Sequence, residues 1–432
     1  MSERSGTRET NGGSPGGPAG EVSIGPCREG GGSGGVAGEG AGGVVHGQPR
    51  EGSLAEMPEP ALTLDDQRSR AKLAGHEWLE YGPPIRGIAI VAILMGHTFD
   101  MAMFSGELDY ATRCAAISLD SLFRWAVPAF IMISGAILAV PRPGKSVLGF
   151  YKKRLGRIGL PIVFWSAFFM LFDVYIVGYG EGVDLGEPAG DRWSASLANL
   201  AAGRPYGHMF FIFRFVGLYT LAPAVQWLNL KLRRRQFGAL TGLLFIAVAV
   251  DSYIQNHAGE QRGAIIGTLY FLPYFMAGYL LRSAYLSRRG VWIALGVWAA
   301  ATAGLVLSTT PFVADWTREM VPPSAEFFMW DHVSPLRIVI GISMWLVLIT
   351  VLRGPFIQTR ALRFMSDVIA PAAFGLYLIH PLFRDGLDFA GVKAVTPNLW
   401  IGVPVAMTCV ILWTTVLTLG IMRVPYVRKI VV

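Results

Sequence analysis

Arg86 and His97 are the first residues whose types and spacing suggest chemistry, in Arg86-Gly-Ile-Ala-Ile-Val-Ala-Ile-Leu-Met-Gly-His97-Thr-Phe-Asp100. On an α-helix eleven residues make three turns plus about 20°, so both side chains face one direction, about 16 Å apart along the axis. Imidazole titrates near neutral pH and is a common general base. Asp100 lies one turn beyond His97, close enough to orient the ring or to sit independently. The pattern thus places a cation at one end of an apolar helix and a base further in. The competing reading is an anchoring arginine and a histidine that makes an interhelical hydrogen bond.

Asp120 and Arg124 stand at i,i+4, where they neutralise each other and read as a structural pair. Val127-Pro128 and Ser134-Gly135 follow, and Gly135 permits close backbone approach within a helix bundle. Arg154-Leu-Gly-Arg157 sets two guanidinium groups on one helix face. Such planar forks suit phosphate recognition, although plain topogenic charge explains them equally well. His208 opens an apolar run, with Arg214 six residues on, and His380 lies in Gly375-Leu-Tyr377-Leu-Ile-His380-Pro381. Each of these histidines, taken alone, reads as a satisfied structural residue.

Other chemistries drop out. Gly144-Lys145-Ser146 is no phosphate loop, because the position that needs the first glycine is Ala139. The His97–Asp100 interval is also too short for the H-x-x-x-x-D of glycerolipid acyltransferases. Three cysteines, Cys27, Cys114 and Cys409, form no disulfide framework and no zinc spacing, and no H-E-x-x-H is present, so no metal is expected.

The elements that must hold these residues follow from composition. The chain has 432 residues, 52% apolar and 16% charged, with 12 Trp and 25 Phe, and a mean hydropathy of +0.44. Soluble domains carry about 25% charged residues. The shortfall disfavours a soluble enzyme, a DNA-binding protein and a disordered scaffold, and makes the bilayer the expected solvent. A spanning helix needs about 20 mostly apolar residues. Ten stretches qualify: 86–104, 115–140, 158–178, 207–228, 238–256, 265–281, 291–308, 336–352, 368–384 and 399–422. The expected fold is an all-α integral membrane protein of about ten transmembrane helices.

Loop charge orients it, since short cytoplasmic loops carry the excess Lys and Arg. The loops after even-numbered spans, with the C-terminus, hold about 19 basic residues, and those after odd-numbered spans about 7. Both termini are then cytoplasmic. The net charge of +7 is largely this loop pattern, which argues against a nucleic-acid partner. Residues 1–75 are glycine-rich and lack apolar periodicity; they read as a disordered cytoplasmic tail without a secretory signal, leaving 76–432 as the membrane domain.

In this order and topology, Arg86-x10-His97, Val127-Pro128-x-Phe130-x3-Ser134-Gly135, Arg154-x-x-Arg157 and Tyr377-Leu-Ile-His380 resemble the acyltransferase-3 family of integral membrane acyltransferases. The resemblance covers residues 80–425 and is to the stand-alone branch, without a fused extracytoplasmic hydrolase-like domain. Where the family often has Phe or Tyr after Ser-Gly, this chain has Ala136. The resemblance implies transfer of an acetyl or other short acyl group from cytoplasmic acyl-CoA to a hydroxyl. The acceptor would be a cell-surface glycan, lipid-linked sugar or similar carbohydrate, and the location the inner (plasma) membrane. It further implies that His97 is the base and Asp100 its orienting partner. Arg86, Arg154 and Arg157 would grip the CoA phosphates, and His380, His208 and Arg214 would face the acceptor. A secondary transporter or flippase is the alternative, because transporters also place His, Arg and Asp near the midplane. No internal repeat between 86–256 and 265–422 supports it.

Overall fold

A computed structural model describes residues 64–103, 108–142, 144, 146–178, 183–258, 264–315, 325–353, 359–392, 394–395 and 397–431. Residues 1–63 of the expected tail lie outside this set, whereas 64–75 already belong to the first helix. The described chain is helical throughout its ordered elements, as an apolar backbone in hydrocarbon must be to satisfy its own hydrogen bonds.

The helices are α1 (Leu64–Met103), α2 (Tyr110–Ser121), α3 (Ala126–Leu138), α4 (Val147–Phe172), α5 (Ala189–Ala201), α6 (Met209–Lys231) and α7 (Arg234–Ala258). They continue as α8 (Ala264–Leu269), α9 (Leu272–Leu281), α10 (Arg288–Thr309), α11 (Pro335–Val351), α12 (Arg360–Phe364), α13 (Ala370–Phe389) and α14 (Leu399–Arg423). Side-chain oxygens cap several starts: Ser146 accepts from the Gly149 amide, Ser287 from Gly290, Ser334 from Arg337 and Asn398 from Ile401. The inner layer is α1, which packs on α2, α3, α13 and α14, together with α3, which packs on α9 and α11. Peripheral helices turn large apolar side chains outward. Leu307 on α10 is 72% exposed and Trp400 on α14 is 67% exposed, which suits lipid rather than water.

Among the described residues nine helices are long and apolar enough to cross a membrane. The sixth expected span, 265–281, is broken into α8 and α9. Pro273 has no amide hydrogen to donate to the Leu269 carbonyl, and the chain tightens there, with the Phe271 amide bonding back to the Thr268 carbonyl at 3.1 Å. The broken segment still retraces α7 in the antiparallel sense. Arg234 at the start of α7 donates to the Leu280 carbonyl at 3.0 Å, and Tyr270 donates to Asp251 near its end at 2.7 Å. Those two anchor points are about 25 Å apart along α7 at 1.5 Å per residue.

The second span is interrupted too. Pro128 cannot donate to the Arg124 carbonyl, and residues 122–126 wind as a tighter turn with i→i−3 bonds, such as Phe123 to Asp120 at 2.9 Å and Ala126 to Phe123 at 2.9 Å. Beyond this turn α3 crosses α9 at backbone contact. A Cβ on Gly135 would overlap the Phe275 carbonyl, and one on Gly278 would overlap the Met132 carbonyl. The expected close approach at Gly135 is thus a reciprocal pair of glycines.

Gly135→Ala should therefore push α3 off α9, at about 1–3 kcal/mol for an overpacked contact, and lower the thermal unfolding midpoint in detergent. Gly242→Ala is the control, because a Cβ there meets nothing within 4 Å. Equal midpoints for the two variants would show that the crossing can widen freely.

Candidate active site

A cavity opens between α1, α4, α6 and α13. Arg86, Arg154 and Arg157 all line it, with Ser134, Tyr219 and a wall of Phe130, Phe211, Phe215 and Phe374. Each arginine arrives for a local reason. Gly87 lets α1 touch the turn before α13, where a Cβ would overlap the Met365 carbonyl, and this sets Arg86 beside α13. That turn, Met365–Ile369, is a single π-helical loop. Pro371 just beyond it has no amide for the Asp367 carbonyl, so the helical register shifts there. The 154–157 spacing places the other two guanidinium groups on one face of α4. Arg154 lies over the rings of Phe150 at 5.7 Å and Tyr219 at 5.9 Å, which restricts its rotamers. Three cations and no carboxylate stand among the lining residues, so the cavity is positively charged and flanked by aromatic surface.

Tyr377 also lines the cavity. Its hydroxyl donates to the His208 carbonyl at 2.6 Å, and its ring lies 5.6 Å from the rings of both His208 and His380. One turn on, Pro381 lacks the amide that would otherwise bond to the Tyr377 carbonyl. His380 Nδ1 takes up that carbonyl at 2.7 Å. Because a carbonyl only accepts, the proton sits on Nδ1 and the lone pair on Nε2. That Nε2 is buried and has no partner, and neither ring nitrogen of His208 has one. The two rings stand edge to face at 5.4 Å.

His97 reaches the same place from α1 and stacks on His380, with ring centres 5.1 Å apart and planes 25° from parallel. Its Nδ1 pairs with Asp100 Oδ2 at 3.0 Å, which leaves Nε2 as the basic nitrogen. Asp100 Oδ1 accepts from Arg124 at 2.9 Å. Arg124 in turn pairs with Asp120 and lies over the Trp330 ring at 4.4 Å. The arrangement is an imidazole with an oriented tautomer beside two further imidazoles with unpaired ring nitrogens, one aromatic residue away from a cationic cavity.

Of the residues singled out by sequence, Arg86, Arg154 and Arg157 therefore converge on the cavity, and His97, Asp100, His208 and His380 on the imidazole cluster. Arg214 is not brought to the imidazole cluster. Six residues along a helix is a rotation of about 240°, and the Arg214 guanidinium packs against Gly267 on α8, where a Cβ would overlap it. Sequence reasoning missed Tyr219, the place of Tyr377 beside both the cavity and the imidazoles, and the reach of Arg124 across to α1. It also missed Arg384, which pairs with Asp385 at 2.6 Å, and Tyr206, which donates to Asp385 at 2.6 Å. Burial and the Asp385 carboxylate push the Tyr206 phenol up, so it remains a donor. The i,i+4 spacing of His380 and Arg384 was a legible signal for one of these; Tyr206 had none.

The acyltransferase-3 family model, described as an acyltransferase domain, matches residues 85–423, from the turn before Arg86 to the end of α14. No curated protein and no solved structure matches the chain.

If the cavity holds the phosphates of a nucleotide-bearing thioester, Arg154→Ala and Arg157→Ala should each raise the Kd of acetyl-CoA about tenfold or more, the weight of one charge-assisted hydrogen bond. Equilibrium binding to the detergent-purified protein measures it. Unchanged affinity in both variants would leave these arginines with topology alone.

Proposed function

The chain belongs to the acyltransferase-3 family of membrane acyltransferases, and on that premise we propose that it moves an acetyl or other short acyl group from cytoplasmic acyl-CoA to a hydroxyl of a cell-surface glycan, lipid-linked sugar or similar acceptor. It is a multi-pass membrane protein; the inner membrane is the proposed location. The observation that carries the reading is that Tyr377 lines the three-arginine cavity while its ring lies 5.6 Å from those of His208 and His380, the latter stacked on His97. A phosphate-bearing donor held at the arginines has its reactive end directed toward the base.

Acyl-CoA supplies the activated acyl group and a thiol leaving group. The fit of the residues to it rests on charge and shape: guanidinium forks for phosphates, aromatic walls for the adenine and pantetheine. In the proposed step Asp100 holds His97 with its Nε2 lone pair exposed. His97 takes the proton of the acceptor hydroxyl as that oxygen adds to the thioester carbonyl. It then returns the proton to the sulfur as the carbon–sulfur bond breaks, so base and acid are the same imidazole. His208 and His380 offer lone pairs to neighbouring acceptor hydroxyls, an exchange that relieves their unpaired state. Arg214 takes no part.

Purified protein incubated with labelled acetyl-CoA and a membrane extract should pass label to a carbohydrate-containing product. His97→Ala should lower that transfer about 10²–10⁴-fold, the range for a lost general base, while the variant still elutes as the wild type does from a sizing column. Full transfer by His97→Ala would remove the base assignment. Movement of a solute across vesicles without covalent labelling would replace acyl transfer by transport.

A further inference from the structure

We propose that Asp120 and Arg124 are positioning residues for the acyl-transfer step, locking Asp100 into the rotamer that aligns His97. The proposal rests on the reading of His97 as the base. Three observations carry it.

Arg124 lies in the tight turn between α2 and α3 rather than within a regular helix. From there its guanidinium reaches α1, a different element, and donates from Nη2 to Asp100 Oδ1 at 2.9 Å. The other Asp100 oxygen is the one paired with His97, at 3.0 Å. One carboxylate is thus held at both oxygens, one side by the base and the other by Arg124. A lone Asp at i+3 from a histidine keeps its χ rotations; an Asp pinned on its far oxygen does not.

Arg124 is itself pinned. Its Nε donates to Asp120 Oδ2, and the Trp330 ring lies 4.4 Å from its Cζ. Face, edge and chain are all constrained, so the guanidinium fork has one orientation.

Asp120 does not look like a stabilising group. It is fully buried, and its Oδ1 has no hydrogen-bond partner. That oxygen faces α1, where a Cβ on Gly96 would come within 3.3 Å of it. A buried carboxylate that leaves one oxygen bare is an expensive way to stabilise a fold, since an apolar residue of similar size does as well or better. Its presence is explained if its work is to hold Arg124 for Asp100.

A positioning role and a structural one are separated by coupling. If Arg124 acts through Asp100, the two substitutions interact and their effects do not multiply. Using the full chain in detergent, with labelled acetyl-CoA as donor and a fixed membrane extract as acceptor source, Arg124→Gln should lower the maximal transfer rate about 10²-fold. The KM for acetyl-CoA should stay within about threefold, because the arginine cavity is untouched. In an Asp100→Asn background the same substitution should change the rate by less than about threefold. Asp120→Asn should give a smaller loss that also vanishes in that background. Arg124→Lys, which keeps the charge but not the fork, should fall between wild type and Arg124→Gln; it carries the same test if the glutamine variant does not fold. Losses that multiply with Asp100→Asn, or a rise in KM matching the fall in rate, overturn the positioning role and leave acyl transfer standing. A wild-type protein that transfers no label overturns the acyl-transfer reading, and the inference with it.

Discussion

Within an apolar bundle a backbone carbonyl that loses its helical donor has no water to turn to, and four of the prolines in this chain meet that constraint at breaks in its helices. Pro128 tightens the turn that carries Arg124. Pro273 splits α8 from α9. Pro371 follows the π-helical loop that sits against Gly87 and Arg86. Pro381 releases the Tyr377 carbonyl that His380 Nδ1 takes up. Three of the four, Pro128, Pro371 and Pro381, break a regular ladder beside a side chain of the candidate site, and in the last case the released carbonyl sets the tautomer of an imidazole. The irregular backbone and the reactive groups have the same cause.

Around those breaks the candidate residues fall into two neighbouring groups. The first lines the cationic and aromatic cavity; the second is a cluster of imidazoles ordered by Asp100, Tyr377 and Pro381. Tyr377 belongs to both, since its ring lines the first and its hydroxyl holds the His208 backbone of the second.

Much of this was legible in the sequence wherever the information is local. The 3.6-residue period places Arg86 and His97 on one face of α1, Arg154 and Arg157 on one face of α4, and Asp100 beside His97. Scarce charge and basic loops indicate a helical membrane bundle with the observed spans, because bilayer thickness imposes the length of each apolar run. The same local rule fails where the helix itself fails. Residues 265–281 look like a continuous span, yet Pro273 breaks them. Asp120 and Arg124 look like a self-contained i,i+4 pair because the turn that aims Arg124 at α1 depends on Pro128 and on packing against Trp330.

What the sequence by itself determined, then, is the material: an all-α membrane bundle, its family, and a short set of polar residues too costly to be placed in hydrocarbon without a use. What only the tertiary structure decided is which of them meet. His97 and His380, far apart in sequence, stack because α1 and α13 pack against each other, and His208, just before α6, meets His380 edge to face. Arg214, only six residues from His208, is turned away onto Gly267. Periodicity specifies the direction of a side chain about its own axis. It carries no information on which neighbouring helix occupies that direction, and in this site the neighbour makes the chemistry.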